Sequence, residues 1–382
     1  MPSVPTCLLA AACANLLLLG ACASRPDDAS RARDLAQRLL IVDTHIDVPY
    51  RLSRSDDDVS QATAGGDFDH PRAVAGGLDA LFMSIYIPAD VDQAGQAGAF
   101  AERLIDGVED LARAHPDKFA VATCADDVDV AKARGLIALP MGMENGGPIA
   151  GELERLNHFR DRGIRYVTLT HSRSNHISDS SYDEDERWQG LSEFGQRLVP
   201  AMADAGVMVD VSHISDRAFW QVLELSPVPV IATHSSLRHF TPGFHRNMSD
   251  DMVRALGRQG GIVHINYGSA FLTEAANRYR DENGDGPYPF ATLDDVLDHI
   301  DRAVMLAGVD HVGIGSDYDG VGNTLPDGLK DVSSYPNLVA GLLRRGYDEG
   351  DIGKILGANL MRVWRQVEAH AAAAGTPPSC RL

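Results

Sequence analysis

From residue 35 onward, short continuous apolar runs alternate with longer segments whose apolar positions recur every three to four residues. Continuous apolar runs of strand length suit parallel strands covered on both faces, and the longer period suits amphipathic helices. The pattern predicts eight strands, at Leu39–Asp43, Leu81–Ile87, Leu136–Met143, Tyr166–Thr170, Val207–Val211, Val228–Thr233, Gly261–Ile265 and His311–Gly315. It predicts helices over Phe100–Ala114, Leu191–Ala205, Ala218–Leu225, Asp250–Arg258, Leu293–Leu306 and Ile352–Ala371, with Pro200 kinking or ending the second of these. Eight such units in one chain predict an α/β fold of the TIM (β/α)8 barrel class. A doubly wound sheet is the runner-up. No Gly-x-Gly-x-x-Gly opens the first helix, so the dinucleotide-binding argument has no residues to stand on.

The irregular polar stretches Ser53–Asp69, Asp179–Arg187 and Thr273–Pro289 read as loops over the barrel's faces, and Ala371–Leu382 as a loose tail. Asp56-Asp57-Asp58 and Asp183-Glu184-Asp185-Glu186 read as solvated acidic runs rather than metal clusters. The expected organisation is a targeting segment at 1–22, a polar tether at 23–34, a barrel domain at 35–370 and a tail at 371–382.

The targeting segment is apolar or small over residues 4–21, and Leu19-Gly20-Ala21-Cys22 places small residues just before a cysteine. This resembles the lipobox of bacterial lipoprotein signal peptides, although no Lys or Arg precedes the apolar stretch. The resemblance implies cleavage before Cys22, lipidation of Cys22 and export to the cell envelope or periplasm. The protein would then be tethered to a membrane surface without spanning it.

A net charge of −20 over 382 residues lacks the basic footprint of a nucleic-acid-binding protein. Three of the five cysteines, Cys7, Cys13 and Cys22, fall in the targeting segment, which excludes a disulfide framework. Cys124 and Cys380 could form one bridge in an oxidising compartment.

In barrel enzymes the chemistry sits at the C-terminal ends of the strands. Here those ends carry His45 and Asp47, then Glu144, His171, Asp210 and His213, His234, Asn266, and Asp317 with Asp319. Residues two apart in an extended chain share a side, so His45 and Asp47 converge on one point. A lone histidine after an apolar run is more often a hydrogen-bonded structural residue than a ligand. Four histidines and several carboxylates at one level of a barrel need another explanation, because packing requires no such ring and burying it unpartnered is costly. Imidazole and carboxylate without thiolate suit zinc, with manganese or cobalt as alternatives. The set is rich enough for two ions, with Glu144 the natural bridge.

These residues fall in ordered motifs: VDTHIDVPYRL at 42–52, HPRAVAGGLDALFMS at 70–84, GMENGG at 142–147, LTHSRSN at 169–175, DVSHIS at 210–215, ATHSS at 232–236, HRNMSDD at 245–251, GIGSDYDG at 313–320 and NLMRVW at 359–364. Together they resemble the membrane (renal-type) dipeptidases, peptidase family M19, among the metal-dependent hydrolase barrels. The resemblance spans about Leu39 to Glu368. It implies two Zn2+ ions per chain, one held by His45, Asp47 and Glu144, the other by Glu144, His213 and His234, with Glu144 bridging and a hydroxide shared between the ions. It implies His171 near the substrate carbonyl, Arg246 on the substrate carboxylate and Asp317 as the strand-8 acid that carries the proton. The structural alternative for Arg246 is an ion pair with Asp250 or Asp251. The implied substrates are small dipeptides, some with a D-residue at the second position, and a homodimer is an option for assembly. Met83 stands where the family often has Trp. Asn266-Tyr267-Gly268-Ser269 replaces the Asn-Phe-Tyr of the animal enzymes, which bears on substrate preference.

Competing readings are another binuclear barrel hydrolase, such as a lactonase or deaminase, and an exported metal-binding barrel without turnover. The first commonly uses His-x-His on strand 1, where this chain has His45-x-Asp47. Retention of every ligand-type residue argues against the second.

Overall fold

The computed structural model describes residues 1–2, 26–282 and 284–382. Residues 3–25, which hold Cys22, most of the targeting segment at 1–22 and the first residues of the tether, lie outside the described residues.

Parallel strands form a curled sheet with helices around it. The strands are β1 (Val42–Ile46), β2 (Ala80–Tyr86), β3 (Phe119–Ala120), β4 (Ile137–Ala138), β5 (Met141–Glu144), β6 (Ile164–Thr168), β7 (Met208–Asp210), β8 (Ile231–Ala232), β9 (Ile262–Ile265) and β10 (Val312–Ile314). The hydrogen-bonded order runs β10-β9-β8-β7-β6-β5-β2, and β1 pairs with β2. The ring is drawn together between β1 and the segment after β10: Asp317 N–H donates to His45 O at 3.1 Å, and Asp47 N–H to Tyr318 O at 2.9 Å. The barrel class predicted from the hydrophobic pattern is the one observed, and each predicted strand has its counterpart. Leu136–Met143 divides into β4 and β5 around Leu139-Pro140, since a proline cannot donate to a ladder. β3 was not predicted. It is two residues long and pairs with β4 at the sheet's margin.

The elements form for ordinary reasons. The strand residues are buried almost throughout, as a parallel sheet under helices demands. Side-chain caps start the helices: Ser192 accepts from Gly195 N–H, Ser215 from Ala218 N–H and Ser249 from Met252 N–H. The helix Glu193–Asp204 runs through Pro200 without breaking.

Three expectations are corrected. Most of the tether at 23–34 is helical: Pro26–Arg38 is one helix, and Ala32, Leu35 and Ala36 are buried, packed against the helix Tyr335–Arg344. Its apolar residues are sparse but fall on one face, a signal weaker than its charge. The Thr273–Pro289 loop contains the helix Glu274–Asp281, capped by Thr273. The tail from residue 371 is not loose. The last helix continues to Ala373, Cys380 is bonded to Cys124 with their Cα atoms 5.1 Å apart, and the N–H groups of Arg381 and Leu382 donate to Asp127. Among the described residues no helix is long and apolar enough to cross a membrane.

Candidate active site

The strand ends bring the predicted residues to one mouth of the barrel. His45 is the penultimate residue of β1 and Asp47 follows the strand, Glu144 ends β5, and His171, His213, His234 and Asp317 follow β6, β7, β8 and β10. Glu144 lies at the centre. Its Oε2 is 3.4 Å from His45 Nε2, and its Oε1 is 3.1 Å from His213 Nε2 and 3.2 Å from His234 Nε2. His45 Nε2 is also 3.5 Å from Asp47 Oδ2. The two oxygens of one carboxylate thus face two separate donor sets. His171 Nε2 is 3.7 Å from Glu144 Oε1, and its ring is more open to the cavity than the other three imidazoles.

Backbone geometry aims these groups. Among the described residues six that are not glycine have positive φ, and four stand at this mouth: Asn145 at 72°, His213 at 69°, Asp317 at 62° and Asp319 at 63°. Such conformations cost energy and persist where the surroundings over-determine them, which is common at functional sites. Gly320 has a different part. A Cβ there would lie 2.2 Å from Asp317 Oδ1 and 2.3 Å from Asp47 Oδ2, so only glycine lets the two carboxylates sit side by side. Asn266 Nδ2 donates to Asp317 Oδ2 at 2.7 Å and fixes its orientation.

The electrostatics are those of a cation site. Burial, together with Arg246 and His171, holds His213 neutral, well below the usual imidazole range. Burial, with His45 and Arg246 nearby, pushes His234 down to about 3. Burial opposes the charge on Glu144, but His45, His171, His213 and His234 outweigh it and keep that carboxylate ionised well below its ordinary range. Burial would also lower His45, yet Tyr166, Glu144 and Asp47 raise it well above its ordinary value, so positive charge is favoured between these carboxylates. Burial raises Asp317 well above the carboxylate range; His45 opposes the shift, while Asp47 and Glu144 add to it.

A metal fits this donor set. His45 Nε2 and Asp47 Oδ1 are buried without a hydrogen-bond partner among the described residues, which is costly unless something binds them. The His213 and His234 Nε2 atoms lie 2.8 Å apart, nitrogen facing nitrogen, beside an anionic oxygen. Ligand atoms of His45, Glu144 and His234, of Glu144, His171 and His213, and of His45, Asp47 and Asp317 each fall within 4.8 Å of one another. Neutral imidazoles and carboxylates without thiolate are the ligands of hydrolytic divalent ions.

Above this floor opens a cavity of about 1240 Å³. Its wall includes Tyr50, Tyr86, Tyr182, Phe271, Tyr279 and Tyr288, along with Arg54 and Arg280. Sequence reasoning missed this wall. Tyr182 sits within a stretch read only as an acidic loop, and nothing local distinguishes it. Tyr267 does not reach the site, because its ring is fully buried against Tyr318. Met83 is likewise buried in β2.

Arg246 is 3% exposed and does not itself line the cavity. Its Nη1 donates to Ser235 Oγ at 2.7 Å and its Nη2 to His234 O at 2.8 Å, while Nε has no partner among the described residues. Its guanidinium lies 5.3 Å from the centre of the Phe271 ring, which does line the cavity. Neither proposed structural partner engages it: Asp250 pairs with Arg302, and Asp251 with Arg254.

A parallel barrel with these donors at its C-terminal mouth defines the class of metal-dependent hydrolases. Comparison with known proteins narrows the class. A family profile described as membrane dipeptidase (peptidase family M19) matches residues 29–377. The chain is 34% identical over 316 residues to dipeptidase tcpJ of Claviceps purpurea (strain 20.1), covering 80% of this chain and 71% of that one. Its structure is similar to that of the probable dipeptidase PvdM from Pseudomonas aeruginosa, with a TM-score of 0.81, 27% identity and coverage of 90% of this chain and 99% of that one. It is also similar to a metallo peptidase from Rhodobacter sphaeroides, crystallised with a phosphinate mimic of the dipeptide L-Ala-D-Ala; the TM-score is 0.77, with 28% identity and coverage of 86% and 99%. The chain belongs to the membrane dipeptidase family and is a metallo-dipeptidase.

Proposed function

We propose that the chain hydrolyses the peptide bond of dipeptides, including those with a D-residue at the second position, with two zinc ions bound at the barrel mouth. The observation that carries this reading is Glu144, whose two oxygens face His45 and Asp47 on one side and His213 and His234 on the other. Glu144 is the bridging ligand, and those four residues complete the two sets. Zinc held there would supply the Lewis acidity that activates water at neutral pH and polarises a carbonyl.

The chain's own groups do the rest. His171 Nε2 stands beside the cavity and donates to the oxygen on which charge develops. Asp317, steadied by Asn266, holds a proton readily and passes it to the leaving amine. Arg246 stands behind Phe271 with its planar fork fixed by Ser235 and His234, and its Nε–H, unpartnered among the described residues, reaches the substrate carboxylate once the Phe271 ring moves aside. That carboxylate contact favours substrates ending one residue beyond the scissile bond. The L-Ala-D-Ala mimic bound by the Rhodobacter neighbour supports a D-residue at that position. The broad aromatic wall suits varied side chains.

We also propose an exported, lipid-anchored protein tethered through Cys22. The lipobox-like LGAC supports it, and so does a Cys124–Cys380 disulfide, which persists in oxidising compartments.

The test is hydrolysis of a dipeptide panel with L- and D-residues at the second position, after chelation and after zinc is restored. Activity lost on chelation and regained with zinc is the expected result. No turnover with two zinc ions bound would overturn the dipeptidase reading in favour of a binding role or another amide or ester substrate.

A further inference from the structure

Behind the donors lie hydroxyl groups that the reaction itself does not use. Tyr166 projects from β6 across the barrel interior, where Gly142 makes room for its ring: a Cβ at 142 would lie 1.9 Å from Tyr166 Cζ. The Tyr166 hydroxyl lies 2.9 Å from His45 Nδ1 and 3.1 Å from Thr44 O. A phenol has one proton. Both contacts become hydrogen bonds in one arrangement only: Tyr166 O–H donates to Thr44 O, and His45 Nδ1–H donates to the Tyr166 oxygen. With the Nδ1–H kept in that bond, Nε2 is the nitrogen left to give a lone pair to a cation, and it faces Asp47 and Glu144.

The second side repeats this logic with different residues. His234 Nδ1 lies 2.8 Å from Thr233 Oγ1, and Thr233 Oγ1 lies 2.7 Å from Asp210 Oδ2. Asp210 also accepts from Ser212 N–H, Thr233 N–H and the Thr168 hydroxyl, so its oxygens are acceptors throughout. The Thr233 proton therefore goes to Asp210, His234 Nδ1–H donates to Thr233, and Nε2 is left as the lone-pair atom beside Glu144. A carboxylate commonly orients a metal-binding histidine directly. Here a hydroxyl is inserted on each side.

We propose that Tyr166 and Thr233 are positioning residues for the two metal ligands His45 and His234, each locking its imidazole in the Nδ1–H form and thereby setting the affinity of one half of the binuclear site. This rests on the two-metal reading above.

The test is zinc affinity, read on the purified full chain by competition with a chromophoric chelator. Tyr166→Phe keeps the ring on Gly142, and Thr233→Val keeps the shape. Each is expected to weaken one of two zinc-binding steps by about 10- to 100-fold, with the other step kept. Thr233→Ser, which retains the hydroxyl, is expected to bind as the parent does. Two unaltered steps in both variants, or Thr233→Ser as weak as Thr233→Val, would overturn the proposal. A variant that fails to fold does not end the test, because long-range 1H–15N spectra of histidine-labelled parent protein report the tautomers directly. Recorded on the zinc-loaded chain, they are expected to show Nδ1–H at His45 and His234, and a proton on Nε2 with none on Nδ1 at either would sink the assignment. A parent chain that binds fewer than two zinc ions would instead count against the two-metal reading itself.

Discussion

Asp43 and Asp210 are buried as completely as Glu144, Asp47 and Asp317, yet the two groups are treated oppositely. Asp43 accepts from His45 N–H, Ser316 N–H and the Tyr335 hydroxyl, the last at 2.6 Å. Asp210 accepts four hydrogen bonds from Thr168, Ser212 and Thr233. Their bonds tie neighbouring strands together. At the mouth, by contrast, Asp47 Oδ1 and His45 Nε2 have no partner among the described residues, and Glu144 faces imidazoles at 3.1 to 3.4 Å. Satisfied buried charge specifies a structure, whereas buried charge left waiting specifies a ligand. One barrel carries both, a few residues apart on the same strands.

That contrast is open to breaking. The largest effect is expected from Glu144→Gln, which removes the charge facing both donor sets. Activity should fall by roughly 10³-fold or more, with zinc content reduced and the metal-free melting temperature nearly kept. Full metal content at full rate would end the bridging role. Asp43→Asn should do the reverse. It leaves buried donors mismatched, at about 3 kcal/mol of stability by denaturant titration, while zinc content per folded chain is retained. Loss of metal without loss of stability would erase the distinction.

Arg246→Ala should act mainly through KM, raising it by about 10- to 100-fold for a free dipeptide, the worth of a charge-assisted hydrogen bond. An unchanged KM would leave Arg246 as a support for Ser235 and His234. The smallest effect concerns His299, which is not among the residues lining the cavity. Its Nδ1 accepts from Leu237 N–H and its Nε2 donates to Leu272 O, so it is buried neutral, and burial lowers its pKa to about 4. The unfolded chain takes up that proton below about 6.5, and the native state refuses it until about 4. This contribution to stability is therefore complete above about pH 6.5 and falls through that window, by about 1 kcal/mol at pH 5.5. His299→Gln should flatten the decline in melting temperature between pH 7.5 and 5.5. An unaltered slope would place the acid sensitivity elsewhere.

Much of this was legible in the chain. The strands announced themselves because parallel strands under helices must be apolar throughout, and the ligand-type residues stand at their ends where β strands hand over to loops. The helix Pro26–Arg38 was hidden, because its charged residues outnumber the Ala32, Leu35 and Ala36 that it buries. The Cys124–Cys380 bond was available from the count of cysteines but not from spacing, since its partners lie 256 residues apart. Tyr182 and Phe271 carry no local mark of the cavity they line.

The sequence by itself determined the fold class and which residue types would gather at the barrel mouth, because hydrophobic period and strand-end position are local properties of a chain. Tertiary structure alone decided that Glu144 faces two donor sets at once, that Gly320 lets Asp47 and Asp317 lie together, and that Tyr166 reaches His45 from another strand. Those are distances between residues far apart in sequence. They are set by how the sheet curls, which no single segment encodes.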